Sequence, residues 1–139
     1  GSVKCKNFIM SADATFICCG DIDVSEVMSC TAADSVSQVA GAVRAKILDS
    51  GSGAWLELYD KKKLHVDHLL DYVMIDDDPV EPKKKPDMTK LLVKAAIETE
   101  EWDDLDYEDR EGEDMADYIS LNEEAVWKML AAGKSILKA

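Results

Sequence analysis

Apolar and polar residues change rhythm several times along the chain, and each rhythm predicts an element. "VKCKNFIM" at 3–10 and "TFICC" at 15–19 are short apolar segments with strand character, separated by the turn-like "SADA", which predicts a hairpin. "DIDVSEVM" alternates around Ile22, Val24 and Val27 and reads as a weaker strand. From Val36 the spacing lengthens: Val36, Val39, Ala40, Val43 and Ile47 recur at three- and four-residue intervals. That predicts an amphipathic helix capped by Thr31 or Asp34 and stopped by "GSG" at 51–53. "AWLELYD" returns to alternation, with Ala54, Leu56 and Leu58 on one face and Trp55, Glu57 and Tyr59 on the other. "KKK" at 61–63 then turns into "LHVDHLLDYVMI", which fits both periods; a strand pairing with 54–59 is preferred.

All three prolines fall within "DDDPVEPKKKP" at 76–86, which predicts an exposed connection. Beyond it, Met88, Leu91, Leu92, Ala95, Ala96 and Trp102 form a helical stripe with Asp87 as its cap. "SLNE" at 120–123 has the form of a capping box opening a last helix. The expected class is therefore α+β: a small antiparallel sheet with one packed amphipathic helix, followed by a helical, acidic carboxy-terminal portion. The expected organisation is a sheet-and-helix region over 1–78, a connection over 79–87 and an acidic helical region over 88–139, packed together as one domain.

Composition narrows the function classes. With 139 residues, 47% of them hydrophobic, the chain is long enough to bury a core. No apolar run approaches the ~18 residues that span a bilayer, and no leader-like series opens the chain, so a cytoplasmic protein is expected. Gly1-Ser2 reads as a cleavage remnant, with the natural start near Val3. Net charge is −13 and the isoelectric point near 4.4. This argues against phosphate-driven nucleic-acid binding, which needs Lys and Arg to displace counterions. Cys5, Cys18, Cys19 and Cys30 lack the paired spacing of a zinc site and read as reduced core residues.

The acid is concentrated. Up to Pro86 fourteen acidic residues face ten basic ones; from Asp87 onward fifteen face six. "EWDDLDYEDREGED" at 101–114 is the densest stretch, and Arg110 is its sole cation. Like charges at i,i+4, as at Glu100, Asp104 and Glu108, cost a helix about 0.2–0.5 kcal/mol per pair, so the helix from Met88 is expected to weaken near Trp102. Carboxylates three or four residues apart stand about 5–6 Å from each other, close to the phosphate interval of a nucleic-acid strand. Aromatic residues inside the stretch add anchors of the kind found at interface centres. In composition it resembles small phage-borne inhibitors and toxin-immunity proteins that block nucleic-acid enzymes.

The leading expectation is a non-enzymatic acidic protein engaging a basic partner, most concretely as a nucleic-acid mimic occupying an enzyme's groove. Glu100, Asp103, Asp104, Asp106, Glu108 and Asp109 would supply charge, with Trp102 and Tyr107 as anchors. No cofactor, catalytic residue or metal is expected in that reading. Two alternatives stand beside it. One is a metal-dependent hydrolase using His65, Asp67, His68 and Asp71, although the spacing is not H-E-x-x-H. The other is a self-assembling structural protein whose acidity serves solubility.

Overall fold

The computed structural model describes residues 1–10, 13–30, 34–50 and 55–139. The chain divides into two compact units, Gly1–Lys84 and Lys85–Ala139.

The first unit is a β-solenoid of about three turns. Strands β1 (Val3–Cys5), β2 (Phe8–Met10) and β3 (Thr15–Cys18) form the first coil. β4 (Ile22–Val24), β5 (Val27–Cys30) and β6 (Val36–Val39) form the second. In the third, β7 (Val43–Ser50) runs over the positions of both β4 and β5, and β8 (Trp55–Leu58) follows. β9 (Leu64–Leu69) and β10 (Val73–Ile75) continue the stack, and β11 (Asp78–Val80) turns back antiparallel on β10. All other pairings in this unit are parallel.

Like residues stack on like. Val3 pairs with Ile22, Ile22 with Val43 and Val43 with Leu64, at separations of 19, 21 and 21 residues. Cys18, Val39, Leu58 and Ile75 make a second column, and Met28, Leu48 and Leu69 a third. Ile22, Met28, Val39, Val43, Leu48 and Leu58 are wholly inaccessible, so the core runs up the middle of the coils. Such strands carry β-branched residues because side chains on a pleated, enclosed surface pack best when stiff at the first rotamer.

Corners are as constrained as strands. A Cβ placed on Gly41 would lie 2.3 Å from the Gly20 carbonyl oxygen of the coil below. Gly41 N–H donates to that oxygen at 3.0 Å, and the Asp21 carboxylate accepts from Ala42 N–H at 2.8 Å. This bond chiefly, with the Arg44 guanidinium beside it, holds the Asp21 carboxyl below the usual carboxylate range.

The sequence-based expectation of an antiparallel sheet carrying a helix is therefore corrected. Residues 36–47 are not a helix but two strands, β6 and most of β7, meeting at the Gly41 corner. The helix-like spacing arises because Val39, Val43 and Ile47 are every second inward position of one unbroken alternation. The intervening inward places hold Ser37, the Gly41 corner and Ala45, while Val36 and Ala40 are exposed. The expected caps at Thr31 and stop at 51–53 lie outside the described residues; Asp34 instead has φ of 60° before β6. The amino-terminal hairpin is absent among the described residues: β2 pairs with β5 and β3 with β6. Residues 64–69 and 73–75 are strands, yet they pair in parallel with β7 and β8 and make no hairpin with 55–58.

The second unit is built from short pieces. Helix α1 (Met88–Leu91) is capped by the Asp87 carboxylate, which accepts from Thr89 N–H at 3.0 Å. A 3-10 turn at Lys94–Ala96 leads into β12 (Ile97–Glu98), which pairs antiparallel with β13 (Ser120–Leu121). Between them lie helix α2 (Glu100–Asp103), a series of turns and a 3-10 turn at Met115–Tyr118. Helix α3 (Glu123–Ala131) closes the unit. The expected continuous stripe from Met88 to Trp102 is thus broken, because Leu92 and Ala96 are buried from separate turns and Val93 N–H bonds to the Ile136 carbonyl instead of continuing the helix. The capping box is also corrected: Ser120 belongs to β13, and Asn122 caps α3 by accepting from Ala125 N–H at 3.0 Å. Met88, Leu92, Ala96, Ala116, Ile119, Val126 and Ile136 form the buried interior.

Candidate functional site

Pairing of Glu98 with Ser120 fixes the two ends of the acidic segment side by side. From that base α2 rises, closed by the Asp103 N–H to Thr99 carbonyl bond at 2.9 Å. Three acidic residues lie in its four positions, a placement the exposed amides at a helix start favour. The Thr99 hydroxyl adds a 2.7 Å bond to Asp103 Oδ2. The chain then turns through Asp106–Gly112, with Asp109 and Arg110 amides both bonding back to the Asp106 carbonyl. Gly112 has φ of 81°, in the left-handed region that a side chain disfavours.

Arg110 folds inward. Its guanidinium carbon stands 5.2 Å over the Trp102 ring, and Nη2 donates to the Asp103 carbonyl at 3.1 Å. Behind it the Trp102 and Tyr118 rings are tilted together, 5.7 Å between centroids. The run's one cation is therefore engaged with an aromatic pair and a backbone carbonyl, while Glu100, Glu101, Asp103, Asp104, Asp106, Glu108 and Asp109 are all exposed. Desolvation, then a hydrogen bond to Glu113 and the charges of Glu113, Asp117 and Glu101, raise the Tyr118 phenol above its ordinary value.

One side of this segment is concave. A cavity of about 190 Å³ is lined by Glu98, Glu100, Glu101, Asp104, Tyr118 and Ser120. Four carboxylates around an aromatic wall suit a cationic side chain such as a guanidinium, which pairs with carboxylates through fixed N–H forks and also stacks on rings. Of the eight residues expected to bind a partner, the structure brings Glu100 and Asp104 into this cavity. Asp103, Asp106, Glu108 and Asp109 lie along the exposed turns, and Tyr107 projects 90% exposed. Trp102 is half-buried in the aromatic cluster. Glu98, Tyr118 and Ser120 complete the wall through the β12–β13 pairing, a contact that no local sequence spacing announces.

His65, Asp67, His68 and Asp71 lie on or just after β9. His65 and Asp67 are exposed on one face of the strand, and His68 lies on the other face, opposite Ile47. Among the described residues no group of three or more His, Cys, Asp or Glu is arranged to hold a metal ion. The cysteines are free; Cys18 and Cys30 are buried, and burial pushes the Cys30 thiol up to about 12. Among the described residues no helix is long and apolar enough to cross a membrane. Comparison with protein-family models, curated proteins and solved structures found no match for this chain.

Proposed function

We propose that this chain is a non-enzymatic acidic binding protein that engages a basic partner surface through residues 98–118, most concretely as an inhibitor occupying an enzyme's nucleic-acid groove. The observation that carries the reading is the four-carboxylate cavity backed by Tyr118, with Arg110 turned inward over Trp102. A run serving only solubility needs neither a concave wall nor an aromatic pair behind it. Here the fold internalises the one positive charge and leaves the negative ones in a row. Glu98, Glu100, Glu101 and Asp104 would receive an Arg or Lys from the partner, and Tyr107 would lie against the partner's surface as an exposed ring.

Capture of binding proteins from a bacterial lysate on the immobilised chain, followed by elution with salt, tests the reading. The expected result is a basic nucleic-acid-binding protein that is released by salt and whose binding to DNA or RNA is competed by the free chain. Recovery of the same proteins by a Glu98→Gln, Glu100→Gln, Glu101→Gln, Asp104→Asn variant would contradict it.

A further inference from the structure

Among the described residues one buried side-chain nitrogen has no hydrogen-bond partner, Nε of Arg110. Folded proteins leave few such groups, because a donor closed off from water and unpaired forfeits the bonds it made in the unfolded chain. Charge neutralisation does not account for where this side chain lies. Carboxylates flank Arg110 in sequence on both sides, yet among the described residues none forms an ion pair with it. What holds it is the Trp102 ring, 5.2 Å from the guanidinium carbon, and the Asp103 carbonyl, which accepts from Nη2 at 3.1 Å.

Those two contacts define what the place accepts. A guanidinium is planar and delocalised, so it lies on an indole face while its N–H groups reach sideways; an ammonium has no plane to stack. How well Arg110 itself fits is set from elsewhere. Its backbone is held in the turns of Asp106–Gly112, where the Arg110 and Asp109 amides bond to the Asp106 carbonyl at 3.1 and 2.9 Å. From that fixed point the side chain reaches the ring but leaves Nε enclosed and unpaired. The acidic cavity adjoins the same aromatic pair, since Tyr118 lines it and also packs on Trp102 at 5.7 Å between centroids. Glu98, Glu100, Glu101 and Asp104 on its wall take no part in holding Arg110.

We propose that the Trp102 face is a second guanidinium subsite beside the acidic cavity, filled in the free chain by Arg110 as an internal stand-in, and that an arginine of a basic partner takes it by displacing Arg110. This rests on the reading of residues 98–118 as a surface for a basic partner, and it narrows the partner to one presenting at least two arginines, one for the cavity and one for the ring. A lysine-rich surface of equal charge gains the cavity alone. Displacement returns Arg110 Nε to water, so binding removes the one unpaired buried donor.

Titration of the full chain with acetyl-Gly-Arg-Gly-Arg-Gly-amide and with its lysine counterpart at 0.15 M salt tests this. The readout is the Trp102 indole N–H resonance, assigned by its loss in Trp102→Phe. The arginine peptide is expected to shift that resonance and to bind more tightly than the lysine peptide. Arg110→Ala and Arg110→Gln remove the stand-in, so each should bind the arginine peptide about two- to fivefold tighter than the parent, the worth of an exposed stacking contact, and the lysine peptide little differently. Lys128→Ala is the charge control: it removes one cation from the exposed face of α3, paired there with Glu124 at 2.6 Å, and should leave both affinities as in the parent, because salt screens distant charges within about 8 Å. An arginine peptide that binds neither Arg110 variant more tightly than the parent, an equal gain for both peptides, an equal gain in Lys128→Ala, or no binding of either peptide would overturn the proposal. The variant Glu98→Gln, Glu100→Gln, Glu101→Gln, Asp104→Asn separates it from the reading beneath. Peptide binding lost in that variant but unimproved by the Arg110 changes leaves the acidic surface and removes the subsite. Peptide binding improved by the Arg110 changes but indifferent to those four carboxylates leaves the subsite and removes the cavity.

Discussion

Gly41→Ala separates the solenoid from the helical alternative by the sign of its effect. In the interior of an exposed helix, Gly to Ala stabilises by about 0.5–1 kcal/mol, because the unfolded chain loses freedom and the helix gains propensity. In the solenoid, the new methyl would lie 2.3 Å from the Gly20 oxygen, 2.4 Å from its carbon and 2.4 Å from Asp21 Oδ1. Two of these are backbone atoms, so no side-chain rotation relieves the contact. The coils must part by roughly 1 Å at this corner before the methyl reaches ordinary contact distance. Three hydrogen bonds tie the coils there: Gly41 N–H to Gly20 O at 3.0 Å, Ala42 N–H to Asp21 Oδ1 at 2.8 Å, and Ile22 N–H to Ala42 O at 2.8 Å. At about 1 kcal/mol net for each bond, their loss destabilises the unit by ~3 kcal/mol. Urea denaturation followed by circular dichroism measures the difference, and Gly20→Ala is the comparison. There the added methyl meets Ser2 Oγ at 2.4 Å, which can rotate away, and the Gly1 carbonyl at 2.5 Å. Only two hydrogen bonds tie that corner, Asp21 N–H to Ser2 Oγ at 3.0 Å and Val3 N–H to the Asp21 carbonyl at 2.8 Å. The smaller cost is therefore expected at Gly20. A Gly41→Ala protein as stable as the parent, or more so, would refute the stacked corner and return residues 36–47 to a helix.

Further expectations concern the core, the carboxyls and the aromatic cluster. Leu48→Ala, at a fully buried position between Met28 and Leu69, should cost about 2–5 kcal/mol in the same denaturation experiment. Asp77 has its carboxyl raised by a hydrogen bond to Glu57 and by that residue's charge, so its folded state holds the proton more tightly than the unfolded chain. Stability from this group is present at low pH and lost as pH rises through the folded value; Asp77→Asn should therefore raise the melting temperature at pH 7 and change it little at pH 3. Asp21 is the opposite case: its lowered carboxyl stabilises above the ordinary carboxylate range and that contribution disappears as pH falls through the folded value, so Asp21→Ala should flatten the acid limb of the stability profile. Arg110→Ala should weaken the second unit by about 0.5–1 kcal/mol through loss of its stacking on Trp102, read by thermal melting and by a change in Trp fluorescence.

Strand positions with clean alternation were readable from the chain itself. Leu56 and Leu58 point inward and Trp55 and Tyr59 outward, as the polar pattern around them implies, although Glu57 is also enclosed and bonded by the Trp55 indole at 3.3 Å. The Asp87 cap follows from local chemistry and was legible for that reason. What escaped was the direction of pairing. Val3-Lys4-Cys5, Ile22-Asp23-Val24, Val43-Arg44-Ala45 and Leu64-His65-Val66 share one apolar–polar–apolar form at intervals of 19 to 21 residues, but three-residue words of mixed composition do not announce a repeat. Between Val36 and Ile47 the inward alternation runs unbroken, but Ser37, Gly41 and Ala45 occupy every second inward place. The large apolar residues Val39, Val43 and Ile47 therefore recur at four-residue intervals and mimic helical spacing. At the site, the charge and its aromatic company were visible in the sequence. The inward turn of Arg110 and the meeting of Glu98 with Ser120 depend on contacts made only in the folded unit.

The proposed function requires that the carboxylates of residues 98–109 steer a basic partner. It is tested most directly by the association rate of a captured partner, measured against salt for the parent and for the variant Glu98→Gln, Glu100→Gln, Glu101→Gln, Asp104→Asn. Shape is kept and charge removed, so association should slow while dissociation changes less. The difference should shrink as the Debye length falls from ~10 Å at 0.1 M to ~3 Å at 1 M. Equal association rates for parent and folded variant at low salt would contradict the claim and leave the acidic run a solvated surface.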